Sequence, residues 1–288
     1  MLGRLKNKFA PDGLTTFAQG KWYPGEVTPR WALICHWRPD GEPLWGNTDQ
    51  QTDQTPGKAH SDDADNLLQC LCTELGIDSA HKKPLYEDPL YHVHLESMLP
   101  PDTALAKLDL SNDDARARLL KRLEKGLDKP VGYMLPLEHD GKQWRTSSWP
   151  LRRNEIFLVP GDSPAGLRLP LDALPEDDTV DSEARQMQCD PYDQAEALPT
   201  YNALQQSVKV NTDNQAAVAP YVIRTTLCTE IRDDTLYIFL PPLTSAVHWV
   251  SLIAALERAA KAAGICPCLL YTSPSPRDAT LSRMPSSA

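Results

Sequence analysis

Apolar residues recur at helical spacing in two well-formed stretches of the chain. From Ser61 the positions Leu67, Leu68, Leu71 and Leu75 fall on one face, with Ser61 as the expected cap and Gly76 as the stop. From Ser245 a second helix carries Val250, Ile253, Ala254 and Leu256 on one face and ends at Gly264. A third helical pattern runs from Ser111 through Leu119, Leu120, Leu123 and Leu127, opened by a Ser-x-x-Asp capping pattern with Asp114.

Between these lie runs with the alternation of strands. Trp31 to Trp37 reads as a short strand closed by the turn Pro39-Asp40-Gly41-Glu42, and Pro84 to Pro101 as extended, proline-broken chain. Val131 to Leu137 and Lys142 to Arg145 flank His139-Asp140-Gly141, a hairpin signal, and Ile156 to Val159 is another strand. The strongest hairpin joins Tyr221–Glu230 to Thr235–Leu240 through the turn at Arg232-Asp233-Asp234. Its strands have two partly apolar faces. One edge is expected to stand unpaired, with loose packing on the preceding region.

Composition narrows the class. The chain has 288 residues, 41% of them hydrophobic, and a net charge of −10 from 29 Lys+Arg against 39 Asp+Glu. No apolar run approaches the roughly 20 residues of a membrane span, and the basic N-terminus lacks the pattern of a signal peptide. The acidic balance argues against a nucleic-acid partner. The 26 prolines make a helical bundle implausible and point to a loop-rich α+β protein. A cytoplasmic location is the expectation. The seven cysteines include no pair at zinc-site spacing, since Cys70/Cys72 and Cys266/Cys268 are too close, and buried reduced thiols are the favoured reading.

The pattern suggests an organisation in pieces. Residues 1–14 form an upstream tail, and 15–175 a Trp/Pro-rich mixed α+β domain. Residues 176–219 form an acidic linker, with eight acids against Arg185 between Glu176 and Glu196. Residues 220–268 hold a β-hairpin plus helix, the start of a second domain. Residues 269–288 show no apolar period and resemble translated adapter read-through, so this tail is expected to be disordered and the chain to be a fragment of something longer.

Candidate chemistry is sparse. His92 and His94 share one face of an extended segment, but no third ligand lies near in sequence. The loop Gly161–Gly166 has backbone N–H groups for a phosphate but lacks the lysine and helix of a P-loop, so a structural turn is favoured. Trp22, Tyr23, Trp31, Trp37 and Trp45 form either a recognition wall or core packing, the latter favoured. Arg145, Arg152 and Arg153 are either an anion grip or a solvated strand edge. No catalytic residue is assigned.

The blocks GKWYPGE (20–26), PRWAL (29–33), DGEPLW (40–45), YEDP (86–89), KPVGYMLPL (129–137) and FLVPGDSPAGLRLPLDALP (157–175) resemble, in order, a family of large bacterial proteins. Its members join a transglutaminase-like domain to an amidoligase part similar to glutamine synthetase and glutamate–cysteine ligases. The resemblance implies that 220–268 opens a glutamine synthetase-like ligase domain. It further implies an ATP-dependent carboxylate–amine ligase with Mg²⁺ as cofactor and a peptide, small amine or carboxylate as substrate. By the same resemblance Glu230, near the end of its strand, is a metal ligand; a turn-flanking surface charge is the competing reading. The chain itself is expected to be inactive, lacking most of the active site. The alternative is a scaffold or peptide-binding module serving a transglutaminase-like thiol domain.

Overall fold

The computed structural model describes residues 2–19, 31–46, 59–91, 129–151, 155–161, 163–175, 197–206, 217–232, 234–243, 245–265 and 269–272. The helix expected from Ser111, the pair His92/His94, and the segment 176–196 lie outside them. Among the described residues no helix is long and apolar enough to cross a membrane.

The architecture is mixed α+β, built on one large sheet. In chain order the elements are α1 (Leu2–Phe9), β1 (Leu14–Gln19), β2 (Trp31–His36), α2 (Ser61–Leu75), β3 (Lys83–Tyr86), β4 (Gly132–Pro136), β5 (Glu138–His139) and β6 (Trp144–Arg145). They continue with β7 (Ile156–Phe157), α3 (Tyr201–Gln205), β8 (Thr226–Arg232), β9 (Thr235–Leu240), α4 (Ala246–Ala263) and β10 (Leu269–Thr272). Eight strands form the sheet in the order β2-β1-β10-β9-β8-β4-β3-β7, and β5-β6 is a separate hairpin.

The two predicted helices form as the spacing indicates. In α2, Leu67, Leu68 and Leu71 are fully buried and Gly76 ends the helix at φ 67°, its N–H reaching the carbonyls of Cys72 and Thr73. The cap, however, is His60 and not Ser61: the Asp63 carboxylate accepts the His60 backbone N–H at 2.7 Å. In α4, which starts after Ser245 without a side-chain capping bond and closes at Gly264 at φ 68°, burial extends beyond the expected stripe to Leu252, Ala255, Ala259 and Ala260. The two helices pack against each other and on one face of the sheet. The extended reading of 84–101 holds for β3, but Pro89–Tyr91 is a helical turn.

Period-two alternation divides the sheet residues between two faces. Leu135, Leu227, Leu236 and Ile238 meet α2 and α4, while Met134, Cys228 and Phe239 meet the segment 158–174 on the other side. Each fully buried Leu or Ile of this kind contributes about 1.5–3 kcal/mol. At the centre, Gly132 faces Glu230 across the ladder, and a Cβ there would come within 2.0 Å of the Thr229 carbonyl oxygen.

The expectations for the second half of the chain need correction. The β8–β9 hairpin forms, with Asp234 in the left-handed region at φ 57°, but neither edge is free. β8 pairs antiparallel with β4, from Gly132↔Glu230 to Pro136↔Thr226, so strands from both sides of the expected linker share one sheet. The other edge is covered by β10. Leu269–Thr272, placed in a disordered tail by the sequence reading, runs parallel to β9 and to β1 and joins them. A short apolar run between two strands with open edges satisfies more backbone hydrogen bonds by pairing than by remaining in water. Residues 1–14 also hold α1, and 197–206, assigned to the linker, include α3.

Candidate functional site

Glu230 lies on β8 on the face turned away from the helices and is 1% exposed, which removes the reading as a surface charge. The Ala165 N–H donates to its Oε2 at 2.9 Å, and the Arg232 Nε lies 3.5 Å from Oε1. A buried carboxylate without such donors would carry a large desolvation cost. The donor exists because the loop after β7 turns back over the sheet in a single 3₁₀ turn, Ala165–Leu167. Gly166 lets that turn approach the Phe239 ring, to which an added Cβ would come within 3.1 Å.

A buried ion pair fixes the loop. Arg168 and Glu87, 5% and 7% exposed, meet through two hydrogen bonds of 2.8 and 2.9 Å. The Arg168 Nε donates to the Ser163 carbonyl at 2.7 Å, so the guanidinium ties the loop to the end of β3. Fork geometry of this kind is what arginine provides and lysine does not. Trp149 holds the neighbouring segment through Nε1–H to the Ile223 carbonyl at 2.8 Å. Residues 163–168 are thus a structural cover, with the Ala165 N–H directed at Glu230.

Magnesium asks for several oxygen ligands in near-octahedral array. Glu230 is a suitable hard donor, but its oxygens face an N–H and a guanidinium. Among the described residues no three His, Cys, Asp or Glu side chains converge as a metal set. Among the described residues Glu230 is thus one hard donor and not part of a complete protein-made metal set. Cys228 and Cys72 are thiols deep in apolar surroundings, and burial pushes each up to about 12, far from a reactive thiolate.

Among the described residues the other sequence candidates are not brought together. Trp45 is buried in the helix-side core, Trp37 is 62% exposed, and Trp31 lies in β2. Trp22, Tyr23, Arg152 and Arg153 are outside the described residues. Arg145 pairs with Asp140 across the β5–β6 turn, so it is not an anion grip. In that turn burial would raise Asp140, yet the N–H groups of Gln143 and Lys142 and the Arg145 guanidinium outweigh it and hold the carboxyl at about 2. The hairpin rests on the first turn of α4: the His139 and His248 rings stack at 3.6 Å, and Trp144 meets His139 edge-on at 4.9 Å. Burial, then the neighbouring His248, lowers His139 to about 4. Its Nδ1 accepts the Gly141 N–H at 3.1 Å, which requires the neutral ring.

One polar centre escaped the sequence reading. Glu257, on the apolar stripe of α4, is 7% exposed and accepts the Gly46 N–H at 2.8 Å, the Tyr201 hydroxyl at 3.0 Å and the Gln205 amide at 2.7 Å. Burial and the Glu257 charge push the Tyr201 phenol up to about 12. Beside it lies an open depression of about 490 Å³ lined by Tyr201, Gln205, Arg258, Lys261 and Ala262. The available signal was spacing: Val250, Ile253, Ala254 and Glu257 share one stripe, so an acid there had to be buried and hydrogen-bonded.

Comparison with known proteins adds the family. No curated protein and no solved structure matches the chain. A family model described as "Putative amidoligase enzyme (DUF2126)" matches residues 1–286, reaching into the tail set apart above. That span covers nearly the whole chain, and the protein belongs to this family of amidoligase-type proteins.

Proposed function

We propose that the protein serves an ATP-dependent ligase that joins a carboxylate to an amine as an amide. The observation that carries this reading is the family match across residues 1–286. Amide formation from a carboxylate and an amine in water needs an activated acyl group. In the proposed chemistry a carboxylate oxygen attacks the γ-phosphorus of ATP, ADP leaves, and the amine nitrogen then displaces phosphate from the acyl carbon. A small acid or a peptide carboxylate is the proposed acyl donor, and a small amine or peptide amine the acceptor. The described residues contribute a rigid sheet and one shielded carboxylate, Glu230, and no complete catalytic set.

The test is ADP release with magnesium and panels of carboxylates and amines, by the chain alone, expected to be silent, and by the ligase it serves, beside mass spectrometry of the products. Release that requires both co-substrates and yields an amide is the result expected of a ligase. Release of ammonia or amine from an amide without ATP would overturn the reading in favour of hydrolysis or thiol acyl transfer. Turnover unchanged in Glu230→Gln would remove that carboxylate from the site.

A further inference from the structure

Residues 197–206 contribute no fully buried side chain, yet four charged residues of the body, two of them buried, hold them in place. Arg38, 5% exposed, donates from Nη1 to the Pro199 carbonyl at 2.6 Å and lies 3.5 Å from the Leu198 carbonyl, while Asp40 takes its remaining fork. The Glu42 carboxylate accepts the Tyr201 N–H at 2.8 Å. Glu257 accepts the Tyr201 hydroxyl and the Gln205 amide. Arg258, braced by Glu74 at 2.6 Å, donates to the Leu204 carbonyl. Leu198 and Leu204 rest half-buried against the helix-side core.

A connecting segment that only crosses a surface has no need of such partners. Burying Arg38 and Glu257 is costly unless their donors and acceptors find mates, and here the segment completes the set, adding carbonyls for Arg38 beside Asp40 and a phenol and a carboxamide for Glu257 beside the Gly46 N–H. The contacts go mainly to backbone carbonyls and one backbone N–H, with a phenol and a carboxamide as the side-chain features. Without the segment, the body would present a guanidinium at each end and carboxylates between. That is the lining needed to read a short turn of peptide, with cations for carbonyls and carboxylates for N–H and O–H groups.

We propose that Arg38, Glu42, Glu257 and Arg258 form a peptide-binding groove, which residues 197–206 occupy in cis and which accepts in trans a peptide of the form Leu-Pro-x-Tyr-x-x-x-Gln. The inference stands apart from the ligase reading. The tethered segment competes at an effective concentration of order millimolar, so the unmodified chain binds such a peptide weakly.

The experiment uses the full chain and a fluorescein-labelled peptide with the sequence of residues 197–206, read by anisotropy. Tyr201→Ala/Gln205→Ala in the chain weakens the internal occupant and should tighten peptide binding about tenfold or more. A peptide with Phe in place of Tyr should bind that variant about tenfold more weakly, because the buried Glu257 carboxylate loses a donor. In the unmodified chain, hydrogen exchange at Tyr201, Leu204 and Gln206 should run about tenfold or more ahead of β8 and β9, the mark of a segment that leaves independently. A folded variant that does not bind, or equal binding of the Tyr and Phe peptides, would overturn the proposal. So would a variant that fails to fold, or exchange of 197–206 only together with the sheet, since either makes the segment part of the body.

Discussion

The two faces of the sheet are held by different physics. On one, α2 and α4 present Leu67, Leu68, Leu71, Leu252 and Leu256 to an apolar strand surface, and non-directional burial does the work. On the other, a loop with two short 3₁₀ turns covers the strands and is fixed by directional contacts: Arg168 to Glu87, Ala165 to Glu230, Trp149 to Ile223. The helical face tolerates small shifts, because apolar contacts re-form after sliding. The loop face does not, because the buried Glu87, Arg168, Glu230 and Trp149 there each have a specified mate. Regular structure covers a surface by area; irregular structure covers it only if its polar groups are individually matched.

The largest expected effect breaks the loop face. Arg168→Ala removes the guanidinium that meets both oxygens of the buried Glu87 carboxylate and should cost about 3–5 kcal/mol in urea unfolding, whereas the double change Glu87→Gln/Arg168→Met should recover much of the loss. A cost below about 1 kcal/mol for the single change would show that charge does not hold this face. On the helical side, Leu68→Ala should cost about 3 kcal/mol by cavity formation, with no dependence on ionic strength. Trp149→Phe keeps an aromatic ring but loses the N–H that the Ile223 carbonyl accepts, and should cost about 1–2 kcal/mol in the same assay.

The smallest effect is a pH dependence where the β5–β6 hairpin meets α4. His139 titrates near 4 in the folded protein, lowered by burial and then by His248, against an ordinary value of 6.5. Below 6.5 the unfolded chain takes up a proton that the folded ring refuses until about 4. The stabilisation from keeping this ring neutral is therefore complete above 6.5 and declines as pH falls towards 4. Half exposure makes the slope shallow. In His139→Phe the melting temperature should fall less over this window than in the unmodified chain; equal slopes would dismiss the stack as a titrating contact.

Legibility in the sequence followed the same division. α2, α4 and the β8–β9 hairpin were visible because periodicity reports burial on a regular element, and Leu67, Leu71, Val250 and Ile253 repeat as it demands. The Arg168–Glu87 pair was not visible, since 81 residues separate the partners and no local pattern links them. Glu230 was singled out through family resemblance, but its burial under Ala165 depends on a loop whose path no spacing reveals. β10 was missed because four residues carry too little pattern to outweigh the polar run that follows, and pairing was decided by edges contributed from elsewhere.

The position of β10 has a consequence for how the chain is made. Of the described strands of the sheet, β1 and β2 are made before the others, yet their place in the sheet is created by Leu269–Thr272, the latest-made strand among those described. Until about residue 272 has been synthesised, the early hairpin has nothing on the sheet to dock against and β9 keeps a bare edge. At translation speeds of about 5–20 residues per second, that wait amounts to more than ten seconds. Over this interval an open strand edge is exposed to other chains, so a chaperone or a neighbouring nascent chain can reach it before its own last strand does.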